Sequence, residues 1–212
     1  MANFDDIAKK AGQIITFTSV ATGQSVTFPA FITGFSDGYT VSWSSSTSFG
    51  RVDPIKNYQS TGRRINASFD VLGKDRATAL ENFSNFSKLI QMLYPVYSDP
   101  IGMDNKSRTI RAAPLMRIKY ANYLRSETSP FGLLGCIGGF TFQPKFESGH
   151  ILEEDTNDMV PLVYQVSFVF EPLHEAPLGS NEAGQFLSGK FPYNKTQIVP
   201  GARQPAGDPT NK

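Results

Sequence analysis

The sequence predicts a β-rich α+β fold in which several short strands pack with one flanking amphipathic helix at about residues 75–93. Residues 65–71 alternate apolar and polar side chains without a break, the period of a strand with one buried and one solvated face. Charged residues make up only 18% of the chain and Phe occurs 17 times, a composition that favours a sheet-rich core. The strand and helix that follow each other over residues 63–94 are therefore taken as the centre of the fold.

The N-terminal part of the chain predicts a short helix followed by a hairpin. Within residues 1–15, Phe4, Ile7 and Ala11 share one side of a helix that needs a surface to dock on. From residue 14 to residue 31, Thr, Val and Phe are enriched, and residues 21–24 (Ala-Thr-Gly-Gln) provide a turn. We expect two short antiparallel strands here.

The next segment contains an Asp-Gly pair and a serine run. Asp37-Gly38 predicts a tight turn, and residues 40–43, which end in Trp43, predict a further strand. Residues 44–48 carry only Ser and Thr, so they are expected to form a mobile loop.

The helix is predicted to bury one side against the sheet and to end before Pro95, which cannot continue a helix. Glu81 and Asn82 are expected on its solvent-facing side, and Tyr94 is expected to join the apolar stripe. The apolar residues spaced three or four apart, which we expect to face the core, are Leu80, Phe83, Phe86, Ile90 and Leu93.

The second half of the chain predicts four more structural features before a proline stop. Residues 115–120 alternate, with Met116, Ile118 and Tyr120 on one face. Residues 131–142 are apolar but rich in glycine, which suggests a bulge or a closely packed second backbone. Residues 147–158 are predicted to form an acidic loop, and residues 162–170 form the clearest late strand, which ends at Pro172.

The chain is predicted to form one domain with two loose ends. The boundaries are an N-terminal arm or short helix at 1–15, a β domain with its helix at 16–174, and an extended arm at 175–212. The C-terminal arm is rich in Pro, Gly, Asn and Gln, with apolar residues only at intervals, so it has too little apolar surface for a core of its own. Its spaced aromatics are expected to attach it to a neighbouring surface.

Charge and targeting signals exclude several classes of function. The 20 basic and 19 acidic residues give a net charge of +1, which implies no strong field for nucleic acid or an anionic membrane. No apolar run approaches the roughly 20 residues that span a bilayer, and the N-terminus does not resemble a signal peptide. The protein is therefore expected to be made in a cytoplasm, without a membrane partner.

We find no motif that predicts catalysis, a cofactor or a metal site. The histidines, His150 and His174, do not stand at the spacing of a metal-ligand motif, and the chain has no Gly-x-Ser-x-Gly, P-loop or dinucleotide signature. The single cysteine, Cys136, is expected to be a small buried apolar residue. The sequence thus predicts a protein that is not an enzyme.

Several motifs resemble structural proteins that lie where the tail tube meets the baseplate in contractile-tailed bacteriophages. The resemblance covers about residues 35–178, and its motifs are packing residues rather than catalytic ones. The segments that carry it are Phe49-Gly50-Arg51-Val52-Asp53-Pro54-Ile55 with Tyr58, Thr61 and Arg64-Ile65, the helix end Met92-Leu93-Tyr94-Pro95, Pro114 with the strand after it, Gly132-Leu133-Leu134-Gly135, and residues 161–174.

The resemblance implies a tail-tube-like fold, with two sheets packed as a β-sandwich or partly closed barrel and six copies joined into a ring. It implies a virion protein that initiates or anchors the tail tube, with the tube protein and baseplate proteins as partners and the genome passing through the lumen without specific binding. Basic residues cluster in the middle third of the chain, and the polar side of the central strand is expected to face a lumen or a neighbour. The interface or lumen candidates are Arg51, Asp53, Arg63, Arg64, Asn66, Ser68, Asp70, Arg117 and Lys119.

Two simpler interpretations remain beside this one. Each basic residue in the set can instead belong to an ordinary solvated strand face. The whole protein can also be a small-ligand or glycan-binding β-barrel, in which Tyr39, Trp43 and Tyr58 stack on sugar rings.

Overall fold

A computed structural model describes residues 13–99, 108–153 and 158–193. Residues 1–12 of the predicted N-terminal helix and the last part of the C-terminal arm lie outside these residues, whereas Ile14 and Ile15 belong to a strand. The described residues form a β-rich α+β fold with one α-helix, α1 (Arg76–Met92), and a short 3-10 helix at Phe146–Ser148. The strands are β1 (Ile14–Ser19), β2 (Ser25–Pro29), β3 (Phe31–Ser46), β4 (Ile55–Leu72), β5 (Val96–Tyr97), β6 (Ile110–Ala112), β7 (Met116–Tyr120), β8 (Leu133–Pro144), β9 (His150–Glu153), β10 (Asp158–Pro161) and β11 (Val163–Pro172).

Seven strands form one antiparallel sheet in the order β2-β1-β7-β8-β11-β4-β3. The ring of Phe17 on β1 lies 6.3 Å from that of Phe69 on β4 and 5.6 Å from that of Phe168 on β11. Adjacent strands lie about 4.8 Å apart, and β1 is separated from β11 by two strands and from β4 by three. Their rings can touch only because the sheet folds over itself. The described strands do not close into a barrel, because β2 and β3 remain at the two edges.

The core fills the inside of the folded sheet, and alternation along the strands decides which side chains enter it. Met116, Ile118 and Tyr120 of β7 are buried as the sequence predicts, and the predicted hairpin of β1 and β2 is confirmed. In β11 the predicted alternation is confirmed for Tyr164, Val166, Phe168 and Phe170, and the strand ends at Pro172.

The helix and the burial of Phe86 are confirmed, but the buried side is rotated by about one position from the predicted one. Phe83 is 40% exposed and Leu80 and Tyr94 are also exposed, whereas Asn82, predicted to face solvent, is only 3% exposed. Its amide donates a long hydrogen bond, 3.5 Å, to the carbonyl of Leu72 at the end of β4. The residues that α1 does bury are Ala79, Asn82, Phe86, Leu89 and Met92, mostly one position before those predicted.

Close contact at the start of the helix explains this rotation. A Cβ atom added to Gly73 would lie 2.9 Å from Ala79, so the helix approaches the end of β4 through two small residues. With Ala79 turned inward, Leu80 must turn outward. Phe86 then stacks on Phe28 of β2, with ring centroids 4.3 Å apart.

Three other predicted segments differ from the structure. The Asp37-Gly38 turn is wrong, because both residues lie within the 16-residue strand β3. The serine run is partly strand, since Ser44 and Ser45 pair with Asn57 and Lys56 of β4. The acidic loop predicted at 147–158 contains strand β9 and the first residue of β10, and these two strands pair as a hairpin.

The glycine-rich strand β8 packs tightly, as its composition predicts. A Cβ atom on Gly135 would lie 2.3 Å from the carbonyl oxygen of Glu171, so the backbone of β11 occupies the space of a side chain. The pairing of β8 with β11 also shifts by one residue between Val169 and Phe170. The predicted close backbone approach and bulge are both confirmed.

Candidate functional site

Strands β3 and β4 extend beyond the rest of the sheet as a two-stranded hairpin. Strand β11 pairs with β4 only from Ile65 to Leu72, whereas β3 and β4 stay paired to Ser46 and Ile55. Residues 38–62 are exposed throughout except Ser44, which is partly buried. At about 3.4 Å per residue, the paired part beyond β11 is about 30 Å long. We call residues 38–64 the projecting hairpin.

The two faces of the projecting hairpin differ in character. On one face, Trp43 is 54% exposed and Tyr58, its cross-strand partner, is 57% exposed, with ring centroids 5.6 Å apart. Tyr39 and Val41 stand on β3 at alternate positions before them, and both are exposed. The other face carries mainly Gly, Ser and Thr. The hairpin therefore continues the apolar face of the sheet into solvent.

A buried ion pair lies at the base of the projecting hairpin. The guanidinium of Arg63 donates from Nε to Asp37 Oδ1 at 2.9 Å and from Nη2 to Asp37 Oδ2 at 2.7 Å. The two side chains are only 1% and 2% exposed. The Tyr39 hydroxyl donates a further hydrogen bond to Asp37, 3.0 Å long. Such bidentate, charge-assisted contacts fix the position of β3 against β4 at this point.

Residues 173–193, which we call the strap, cross over this ion pair. The ring of Phe191 lies 5.3 Å from the guanidinium carbon of Arg63 and 6.2 Å from the ring of Tyr39. The ring of His174 contacts the ring of Phe191, with centroids 5.6 Å apart. The strap thus supplies the aromatic cover of a charged pair that would otherwise meet solvent.

Burial under the strap changes the acid–base behaviour of two groups. Burial, more than the opposing effect of nearby Arg63, raises the pKa of the Tyr39 hydroxyl well above its ordinary value. Burial first, and then the positive charge of Arg63, lower the pKa of His174, against a smaller opposite effect of Asp37. The neutral forms of both side chains are favoured while the strap is in place.

A second ion pair attaches the strap to the body of the sheet. Arg117 of β7 donates to both carboxylate oxygens of Glu175, at 2.9 and 2.6 Å, and Thr128 donates to the same carboxylate at 3.3 Å. The hydrogen bonds from Arg117 lower the pKa of Glu175. Ser188 donates to Glu127 at 3.0 Å, which adds a further attachment.

The outer face of the sheet forms an open depression of about 550 Å³ across β3, β4, β11 and β8. Uncharged residues line it, small polar ones such as Ser36 and Ser68 together with larger apolar ones such as Phe35 and Phe140. Asn66 donates to Ser36 at 3.1 Å, and Thr33 donates to Ser68 at 3.1 Å. Next to it, Lys145 pairs with Asp70 at 3.1 Å. The lining of the depression is therefore uncharged, and the neighbouring carboxylate of Asp70 is paired.

The structure distributes the predicted site residues over four places. Arg51 and Asp53 lie in the exposed loop at the tip of the projecting hairpin, and Arg64 is exposed on β4. Arg63 is not on a wet face as the sequence suggested, because it is buried in the ion pair. The residues of the outer face are Asn66, Ser68 and Asp70, and those on β7 are Arg117, which binds the strap, and Lys119.

Sequence reasoning missed the partners that make this site. Asp37, Glu175 and Phe191 were not selected, because their partners are distant in the sequence. Tyr39 was considered only as a sugar-stacking ring, and His174 only as a metal ligand. One signal was present. Arg63 lies an even number of residues before Ile65 and Phe69 in an alternating strand, so its side chain points to the same buried face. A charge on that face requires an acidic partner.

Other types of site were sought among the described residues. No group of three or more His, Cys, Asp and Glu side chains there is arranged to hold a metal ion. In the same part of the chain, no helix has the length and apolar character needed to span a membrane.

Comparison with known proteins identifies no family for this chain. No family model matches it, and no curated protein matches it. Function is therefore argued from the residues and the geometry.

Proposed function

We propose that this chain is a structural protein of a contractile-tailed bacteriophage virion, and that six copies form a ring where the tail tube meets the baseplate. In this role it starts or anchors the tail tube, it is made in the host cytoplasm, and its partners are further copies, the tube protein and baseplate proteins. The sequence resemblance supplies the ring and the number six. The folded-over sheet is compatible with the tail-tube-like sandwich or partly closed barrel that the resemblance implies.

The projecting hairpin is the observation that carries the proposal. The projecting hairpin extends about 30 Å beyond the sheet and exposes Val41, Trp43 and Tyr58 on one face. Most of that face is covered by no other described residue. Exposed apolar groups that lie together on a soluble chain typically mark a protein contact. We infer that a neighbouring subunit or protein covers this face.

The edges of the sheet favour the same conclusion. No described strand pairs with the outer edge of β2 or of β3, and β3 is 16 residues long. Long open edges attract other strands and are normally protected or paired. Because β2 and β3 are different edges, pairing between them in successive copies is heterologous, and such contacts close into a ring when the rotation allows.

The outer face suits the lining of a passage. Ser36, Asn66, Ser68 and Ser167 are small, and the nearby Asp70 is neutralised by Lys145. Affinity for DNA comes mainly from basic groups on phosphates, which this face does not concentrate. In the proposed ring this face lies toward the lumen, and the genome passes without specific binding.

The proposal is tested by the assembly state of purified protein, measured by mass photometry and negative-stain microscopy over a concentration series. We expect six-fold rings for the native chain and smaller species for the Trp43→Ser/Tyr58→Ser variant. Phe131→Ser is the matched control, because Phe131 is 60% exposed but lies outside the projecting hairpin. A chain that stays monomeric at every concentration would overturn the ring.

The exposed Trp43–Tyr58 pair also favours a second candidate, a glycan-binding module. Aromatic side chains offer a flat apolar surface on which a sugar ring can stack. Trp43 is the only tryptophan, so its fluorescence reports directly on that pair. Saturable quenching by one member of a glycan panel would favour this candidate, and an unchanged spectrum across the panel would favour the structural one.

A further inference from the structure

We propose that the strap positions the projecting hairpin, and that Phe191 is the positioning residue. The proposal rests on the proposed function only for the use of the hairpin as a contact. The positioning itself is a property of the single chain.

The projecting hairpin has little else to hold it in place. Among the described residues, its strands pair only with each other beyond Ile65, since β11 no longer pairs with β4. A two-stranded ribbon is marginally stable in water by itself. Its direction therefore depends on contacts at its base, where Tyr39 and Arg63 are cross-strand partners.

Phe191 makes the contact that the base needs. Nη1 of Arg63 is buried and has no hydrogen-bond partner, although Nε and Nη2 are bonded to Asp37. The ring of Phe191 lies 5.3 Å from this guanidinium and the ring of Tyr39 lies 5.6 Å from it, and the two rings also meet each other. The face of an aromatic ring compensates a buried cation through its negative quadrupole. Phe191 thus touches both strands of the hairpin through their paired side chains.

The strap can transmit this contact because its other end is fixed elsewhere. Glu175 binds Arg117 on β7, three positions along the sheet from β4, and Ser188 binds Glu127. The strap therefore bridges the body of the sheet and the base of the hairpin. By linkage, a binding partner that displaces the strap changes the orientation of the hairpin. In the same way, a partner that binds the hairpin in its present orientation stabilises the attachment of the strap.

Hydrogen exchange in three single variants tests the proposal. In Phe191→Ala we expect exchange at residues 38–46 and 55–64 to rise about tenfold, which corresponds to the loss of a desolvated cation–π contact. Exchange in β1 and β11 should stay unchanged. Phe191→Tyr should restore protection, and Phe186→Ala is the matched control, because Phe186 belongs to the same strap but is 64% exposed.

The outcomes separate this inference from the proposed function. Unchanged hairpin exchange in Phe191→Ala, or an equal rise in β1 and β11, would overturn the positioning role. Exchange is measured on the single chain at concentrations below assembly, so a protein that forms no ring can still show the hairpin effect. Rings that form normally from native protein while the hairpin effect is absent would leave the proposed function standing alone.

Discussion

At the scale of single residues, the ion pair of Arg63 and Asp37 is the most consequential feature. Both side chains are almost completely buried, with a hydrogen bond from Tyr39 to Asp37 and the rings of Tyr39 and Phe191 against the guanidinium. Moving two charges out of water is unfavourable, and the attraction between them offsets this only when the geometry is good. The pair therefore specifies how β3 and β4 align more than it adds to stability.

The ion pair predicts strongly non-additive mutations. Arg63→Met or Asp37→Leu alone should lower the free energy of unfolding by about 3–5 kcal/mol, because each leaves one buried charge without its partner. The Arg63→Met/Asp37→Leu double variant should be more stable than either single variant. Urea denaturation at neutral pH measures all three, and losses that simply add would show that the two charges do not compensate each other.

His174 predicts a pH dependence of the strap. Its pKa is lowered from the ordinary 6.5, so the released or unfolded chain binds more protons in the window just below that value. Attachment of the strap should therefore weaken as pH falls below about 6.5. Glu175 stays ionised across this window, because Arg117 lowers its pKa from 4.5. The other charged groups that face His174 are Arg63 and Asp37.

Exchange of strap amides at pH 7.5 and pH 5.5 measures this effect. We expect faster exchange at the lower pH, after correction for the intrinsic rate, and we expect the difference to disappear in His174→Gln. A pH dependence that persists in this variant would assign the effect to another group.

At the scale of elements, the sequence identifies the helix but not its orientation. The apolar residues along 80–93 allow either of two neighbouring faces of the helix to be buried. Phe86 is buried in both cases, so the spacing does not distinguish them. The contact of Ala79 with Gly73 and the stack of Phe86 on Phe28 decide between them. Both involve partners outside the helix, so no pattern within it can show the outcome.

Two phenylalanines one turn apart test this orientation. Phe86→Ala should lower the free energy of unfolding by about 3–5 kcal/mol, because it leaves a cavity among Phe28, Phe142 and Tyr164. Phe83→Ala should lower it by less than about 1 kcal/mol, since Phe83 is partly solvated. Chemical denaturation of the pair measures both, and equal losses would contradict the face seen in the structure.

The same limit explains the error at Asp37-Gly38. The pair is a strong local signal for a hairpin turn. Here Asp37 has a buried partner 26 positions away, and the turn moves to the end of β3 instead. The long-range contact between Asp37 and Arg63 outweighs the local preference of Asp37-Gly38 for a turn.

At the scale of the whole molecule, one sheet supplies three different surfaces. Its folded interior is the core, its outer face carries a depression lined by uncharged residues, and its last two strands project beyond it. The strap connects the projecting part to the body. An assembly role uses the edges and the hairpin, while the stability of the chain depends on the interior.

The sequence by itself determined the features that depend on neighbours along the chain. These are the alternation in β4, β7 and β11, the turn between β1 and β2, the presence of α1, and the close packing at the glycines of β8. Only the tertiary structure decided which face of α1 is buried, how far β3 and β4 extend, and where the strap lies. Periodicity is set by the geometry of a single element. The face of α1, the length of the hairpin and the path of the strap depend instead on contacts between residues that are distant in the sequence, such as Asp37 and Arg63.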